Sequence, residues 1–239
     1  MSDRFSGCAL CGAPLVYREE SRPRVCNVCG RTSPSNAECA NGHYVCNECH
    51  SKGSTALFKP WCMESSEKDP IVLAEGMMRI QGVHMHGPEH HVLVGSALLT
   101  SYRNCGGDVD LPTALEEMLR RGSQVPGGVC GLWGSCGAAV SCGMAYSIIT
   151  GSTPLSGESW GRCNIMTSRC LEAIGSLGGP RCCKRDAFTA LRAASAYISE
   201  TLDVDIPTGE AVCSFSSGNP QCIGRRCPYN RADPALEPK

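Results

Sequence analysis

The chain has 239 residues, enough for one full-sized domain and a smaller one. Its 22 Lys and Arg stand against 23 Asp and Glu, so net charge gives no reason to expect electrostatic capture of nucleic acid. Apolar residues make up 42% but aromatics only 5%, with 27 Gly and 19 Cys, which implies a core of small and aliphatic side chains whose backbones approach closely.

Met1 to Ser6 carry no apolar signal core, and no later run reaches the ~18 apolar residues of a membrane span. A cytoplasmic protein without membrane contact is expected. In a reducing compartment an odd number of cysteines, many in CxxC pairs, favours metal thiolates over disulfides.

Residues 1 to about 62 are short, cysteine-punctuated segments with little helical periodicity and too few large apolar residues to fold on packing alone. Cys8-x-x-Cys11 and Cys26-x-x-Cys29 are knuckles separated by fourteen residues, near the spacing of a four-cysteine zinc ribbon. Gly12 and Gly30 follow them with the permissive backbone such turns use. Cys39-x3-His43 and Cys46-x-x-Cys49 supply a second, Cys3His set, with Gly42 before the histidine and His50 and Cys62 as spare donors. Two structural zinc ions are therefore expected, with the four pairs either sequential or interleaved as in cross-brace modules.

The polar stretch Ser65 to Asp69 marks a change of pattern. It divides the chain into a zinc-binding module over residues 1–65 and a helical, cysteine-rich domain over residues 66–239, so the fold class is mainly α. Ile71 to Val83 reads as strand or helix. Helices are expected over Pro88 to Arg103, from Pro112 to Gly122, over Gly134 to Thr150 as the buried central helix, and over Glu158 to Ser176 and Arg185 to Leu202. Pro207 to Lys239 reads as a loop-rich tail.

Between residues 84 and 91, His84, His86, His90 and His91 surround Glu89 at a helix start. The dipole there disfavours imidazolium, and a neutral imidazole is what metal binding or proton transfer requires. His86, Glu89, His90 and His91 are the candidate catalytic residues. The alternative is a polar loop whose histidines hydrogen-bond the backbone.

Beyond residue 100 no cysteine lies in a CxxC pair, so the consecutive ferredoxin spacing is absent. Candidate cluster ligands are Cys130, Cys136, Cys163, Cys182, Cys183, Cys213, Cys222 and Cys227. Cys136, Cys182 and Cys183 fall at helix N-termini, where thiolates are favoured, and Arg181, Lys184 and Arg185 reinforce this or hold an anionic substrate. Cys142 and Cys170 read as small buried hydrophobes. A [4Fe–4S] cluster is the leading expectation, followed by another zinc and by a redox dithiol of Cys182 and Cys183. With three tail ligands, one iron would stay open for substrate.

Cys136-Gly-Ala-Ala-Val-Ser-Cys142-Gly-Met-Ala resembles the CGAxxGxxMA stretch of the C-GCAxxG-C-C redox-active proteins, with Cys142 in place of a small residue. The stretches Cys39 to His50, Met85 to Asn104, Val129 to Ala139 and Gly178 to Asp186 resemble an uncharacterised cysteine-rich family of methanogens and anaerobic bacteria. That family is sometimes joined to radical-SAM or methyltransferase modules, and this chain contains neither the CxxxCxxC motif nor a Gly-rich methyltransferase loop. The resemblance implies an anaerobic pathway with iron–sulfur, methyl or sulfur chemistry and a protein partner. The expected function is redox, sulfur or cluster transfer. Two other readings stay open: a non-catalytic zinc adaptor for a radical-SAM or methyltransferase partner, and an enzyme using the histidine cluster on a small thiol or methyl-bearing substrate.

Overall fold

The computed structural model describes residues 8, 10–11, 13–51 and 53–231, so Gly12 lies outside them. Among the described residues there are nine α-helices and one two-stranded antiparallel sheet. No helix among them is long and apolar enough to cross a membrane.

Strands β1 (Leu15–Val25) and β2 (Thr32–Cys39) form a hairpin in which Leu15 pairs with Cys39 and Val25 with Thr32, with an irregularity between Tyr17 and Arg22. Sequence did not suggest this hairpin, because β1 is exposed along nearly its whole length and has no alternating apolar face. Backbone pairing and the cysteines at its two ends hold it. Gly30 (φ 71°) and Gly42 (φ 81°) supply the left-handed turns after Cys29 and before His43. Helix α1 (Asn47–Ser51) closes this region.

Helix α2 (Phe58–Glu64) already belongs to the main core, with Phe58 and Cys62 buried. Helix α3 (Pro70–Met78) resolves the ambiguity of the segment after Pro70. Asp69 caps it by accepting from the Ile71 N–H at 2.8 Å, and Pro70 occupies the first turn. Helices α4 (His90–Asn104), α5 (Leu111–Gly122), α6 (Val129–Leu132), α7 (Gly137–Ile149), α8 (Glu158–Leu177) and α9 (Cys183–Leu202) follow. Helix α5 is amphipathic, burying Leu111, Ala114, Leu115, Met118 and Gly122 on one face.

The most completely buried helix is α4, not α7: every residue from His90 to Tyr102 is buried, and α2, α3, α5, α7 and α9 all pack on it. Helix α7 is buried over most of its length as expected, and its small residues let it lie close to α4 and α8. The Gly95 N–H donates to Ser141 Oγ at 2.8 Å, and Ser141 donates to the His91 carbonyl at 2.6 Å. A methyl group on Gly122 would come within 2.7 Å of that same backbone carbonyl. Because backbone cannot rotate away as a side chain can, Gly122→Ala should lower unfolding free energy by about 1–3 kcal/mol. Denaturant titration checks this; an unchanged midpoint would show that α4 and α5 can separate at no cost.

Candidate metal centres and the cavity between them

The N-terminal donors interleave. One quartet is Cys8, Cys11, Cys39 and His43, and the other is Cys26, Cys29, Cys46 and Cys49, each with its ligand atoms within 4.8 Å of one another. This is the cross-brace arrangement. The hairpin produces it by returning Cys39 to the start of β1 while leaving Cys26 and Cys29 in the turn.

Sulfur–sulfur contacts are 3.4 Å for Cys11–Cys39 and 3.7 Å for Cys29–Cys46, and His43 presents Nδ1 at 3.3 Å from Cys11 and 3.9 Å from Cys8. A tetrahedron of thiolates about 2.3 Å from zinc has edges of about 3.8 Å, so both quartets have the dimensions of a single zinc site. Backbone N–H groups of Leu10, Asn41 and Cys46 donate to Cys8, Cys39 and Cys26 at 3.4, 3.3 and 3.3 Å.

The thiols divide their protons unevenly. The Ala13 N–H, then His43 and Cys39, bring Cys11 down to about 6. Burial opposes ionisation of Cys26, yet the N–H groups of Cys46, Cys29 and Val28 bring it to about 6 as well. Cys49 is pushed up to about 12 by its contact with Cys29 and by burial. A dication in each quartet would replace these shared protons and let all seven thiols ionise.

The candidate residues at 84 to 91 divide among separate partners. Glu89 is wholly buried, accepts from the His84 N–H at 2.7 Å, and lies 3.3 Å from His84 Nδ1 and 3.4 Å from His50 Nδ1. Burial favours its neutral form, but His50 and His84 outweigh this and hold its carboxyl well below the usual range. His90 donates from Nδ1 to the Gly87 carbonyl at 3.1 Å and accepts at Nε2 from buried Lys184 at 2.9 Å, which occupies both ring nitrogens. His91 donates to the Val125 carbonyl at 3.0 Å. His86 sits 3.1 Å from Asn219 Oδ1 and accepts from the Cys183 N–H at 3.5 Å. Burial, reinforced by Arg181, lowers His86 to about 4. Burial also leads the lowering of His90 and His91, so desolvation rather than the helix dipole keeps these rings neutral.

His86 and His91, but not His90, line a cavity of about 560 Å³ between the hairpin region and the helical core, together with Tyr17, His50, Cys130, Arg181 and Cys183. Arg181 donates to the Tyr17 hydroxyl, with its guanidinium 4.9 Å from the ring centre. This contact ties the hairpin to the turn before α9.

The adjacent Cys182 and Cys183 diverge. Cys183 lines the large cavity, while Cys182 joins Cys213, Cys222 and Cys227 around a second, small void that Lys184 and Arg185 also line. N–H groups of Arg185, Phe215 and Gly224 donate to Cys182, Cys213 and Cys222 at 3.5, 3.4 and 3.4 Å, and the Asn219 amide donates to Cys182 at 3.4 Å. No three of these four sulfurs fall within 4.8 Å of one another, unlike the N-terminal quartets. Arg185 is nearly inaccessible, and its Nη1 has no hydrogen-bond partner.

The remaining candidates lie elsewhere. Cys130 lines the large cavity, Cys136 lies before α7 with its thiol 3.9 Å from Asp186 Oδ2, and Cys163 packs on the core from α8 and lines neither cavity. The expectation of lowered thiol pKa at helix starts is overturned. Burial raises Cys136 and Cys182 and pushes Cys183 up to about 12, because the desolvation of these positions outweighs the dipole.

Residues 58–230 match a family of unknown function, DUF5714, and the chain belongs to it. No curated protein and no solved structure matches the chain. The matched span starts at Phe58, the first buried residue of α2, and includes Cys182, Cys213, Cys222 and Cys227 but none of the eight cross-brace donors.

The interleaved pairing has a stoichiometric consequence. Cys11→Ala combined with His43→Ala should remove one zinc per chain, and so should Cys29→Ala combined with Cys49→Ala, whereas Cys11→Ala with Cys29→Ala should remove both. Zinc analysis of the three double variants decides; loss of a single zinc from the last would establish sequential pairing.

Proposed function

We propose that this DUF5714 protein is a metalloprotein of redox chemistry, in which a [4Fe–4S] cluster on Cys182, Cys213, Cys222 and Cys227 exchanges electrons with a small molecule bound in the large cavity. The observation that carries the reading is the convergence of four cysteines from two distant segments on one void. Their sulfurs stand too far apart for one tetrahedral zinc, and a multinuclear cluster spaces its terminal thiolates more widely. The void itself is small, about 10 Å³, so the donor set carries the assignment rather than the enclosed volume.

The surroundings suit an anionic group. Backbone and amide N–H groups already point at three of the four sulfurs, and such bonds tune cluster potentials. Lys184 is fully buried beside them, and burial lowers it only to about 8 because Cys183, Glu89 and Cys182 favour its charged form. Arg185, ion-paired with Asp186 through Nε at 3.0 Å, keeps its Nη1 without a hydrogen-bond partner, one buried donor left for an anionic group. The bound cluster would supply one-electron chemistry. Four protein ligands leave no iron open, in contrast to the three-cysteine possibility, so substrate would bind elsewhere.

The large cavity is where the chain's own groups would hold it. Arg181 offers a positive charge, His86 and His91 offer neutral imidazoles, and Cys130 and Cys183 offer thiols. His86 contacts Asn219, which in turn donates to Cys182, so cavity and cluster share a short chain of polar contacts. This lining fits a small anionic or thiol-bearing molecule.

The zinc module is assigned a structural role, since closed four-ligand sites leave no position for chemistry. We place its boundary with the helical domain just before Phe58, because α2 packs in the helical core. A second reading, docking onto a partner enzyme, draws on the place of the module outside the matched span.

Anaerobic reconstitution of the full chain tests the main reading. About four iron and four sulfide per chain are expected, strongly reduced in Cys182→Ala and Cys222→Ala and unchanged in Cys163→Ala and Cys142→Ala. Wild-type protein that takes up no iron would leave only the docking role.

A further inference from the structure

One donor set remains outside both cysteine systems. His50, His84 and Glu89 each bring one ligand atom within 4.8 Å of the other two. The imidazole rings of His50 and His84 are neighbours, with centroids 4.0 Å apart and planes tilted by 40°. Both direct Nδ1 at the Glu89 carboxylate, His84 toward Oε1 at 3.3 Å and His50 toward Oε2 at 3.4 Å.

The hydrogen bonding of this group is incomplete. Oε1 is satisfied by the His84 N–H at 2.7 Å, but Oε2 and His50 Nδ1 are both buried without a hydrogen-bond partner. Glu89 has no exposed side-chain surface, and an ionised oxygen left unmatched in such a place is costly. The chain nevertheless makes room for it. A methyl group at Gly87 would come within 2.1 Å of Oε2 and 2.4 Å of Oε1, so only glycine there leaves the carboxylate its position.

We propose that His50, His84 and Glu89 bind a third divalent transition-metal ion, which clamps the zinc module to the helical domain. Two neutral imidazoles and one carboxylate form a set suited to zinc or ferrous iron. A metal would use the two Nδ1 lone pairs and a Glu89 oxygen; His50 Nδ1 and Oε2 now lack hydrogen-bond partners, and His84 Nδ1 meets Oε1 at 3.3 Å. Three protein ligands leave coordination positions for water or substrate, in contrast to the closed quartets, and His50 and Gly87 line the large cavity from which either would enter.

The site spans the two parts of the molecule. His50 follows Cys49 directly, so the second quartet fixes the turn of α1 that presents it, while His84 and Glu89 lead into α4. His50 lies outside the span matched to the family and the other two ligands lie within it. This site uses none of the C-terminal cysteines and stands or falls independently of the cluster.

The test is a cobalt(II) titration of the full-length chain with zinc filling the quartets and no added iron, read as difference absorption and as metal retained after dialysis. Wild type should bind about one further cobalt whose spectrum lacks the intense thiolate-to-cobalt band of a cysteine site. Glu89→Gln, which keeps shape and removes charge, and His84→Ala should each weaken that equivalent by at least tenfold while retaining both zinc ions and the helical circular dichroism. Cys222→Ala should bind it as wild type does. Wild-type protein that takes up no thiolate-free cobalt, or Glu89→Gln that binds it undiminished, would overturn the proposal, and the wild-type titration decides even if a variant fails to fold.

Discussion

The N-terminal region cannot be held by burial, and the rest of the molecule depends on what replaces it. Among the described residues, Leu10, Leu15, Val16, Tyr17, Val25 and Val28 are all exposed, and the buried apolar ones before Ser51 are Cys8, Cys26, Cys39 and Cys46. A hairpin of this kind is marginal in water without a covering layer. Thiolate coordination at the two quartets would have the strength to fix it, as in small metal-dependent domains whose folding free energy is largely metal-binding free energy. Interleaving matters here, because each quartet takes ligands from both ends of the segment and neither can form while the hairpin is open.

Two of the described contacts join that region to the helical domain. Tyr17 on β1 meets Arg181 before α9, and His50 on α1 meets Glu89 before α4. The large cavity lies between these contacts, so its shape follows from the hairpin as much as from the helices. Lys184 joins the two ends of the system electrostatically. It donates to the His84 carbonyl and His90 on one side, and Glu89, Cys182 and Cys183 favour its charged form. A buried lysine is retained at such cost only when negative charge is near.

Most of the helical domain was legible in the sequence because its signals are local. Pro112 at the start of α5 and Gly122 at its end, and the apolar spacing between them, need no tertiary information. The strand-or-helix ambiguity after Pro70 was also settled locally, by the Asp69 cap. The hairpin was not legible, since its strands have no buried face and therefore no periodicity. Composition marks α7 as a buried helix whose small residues touch neighbours, and it packs on α4, α5, α8 and α9; the still more complete burial of α4 depends on the elements that surround it, which its composition does not describe.

At the candidate site, sequence identified every cross-brace donor but could not choose their pairing, which depends on where β2 returns. It grouped Glu89 with His86, His90 and His91 by proximity along the chain. The structure groups it with His84 and with His50, nearly forty residues upstream. A spare histidine directly after a CxxC pair was the available signal. The division of Cys182 from Cys183 was likewise invisible, because adjacent residues at a helix start can face opposite sides of the chain.

The proposed redox role rests on the four cysteines around Lys184 and Arg185 holding a multinuclear iron–sulfur centre rather than a single ion. Iron-edge X-ray absorption on the anaerobically reconstituted chain addresses it most directly. The account predicts sulfur neighbours together with iron–iron scattering, both lost in Cys222→Ala. Iron bound by sulfur with no iron–iron scattering, or zinc alone occupying these four cysteines, would contradict it.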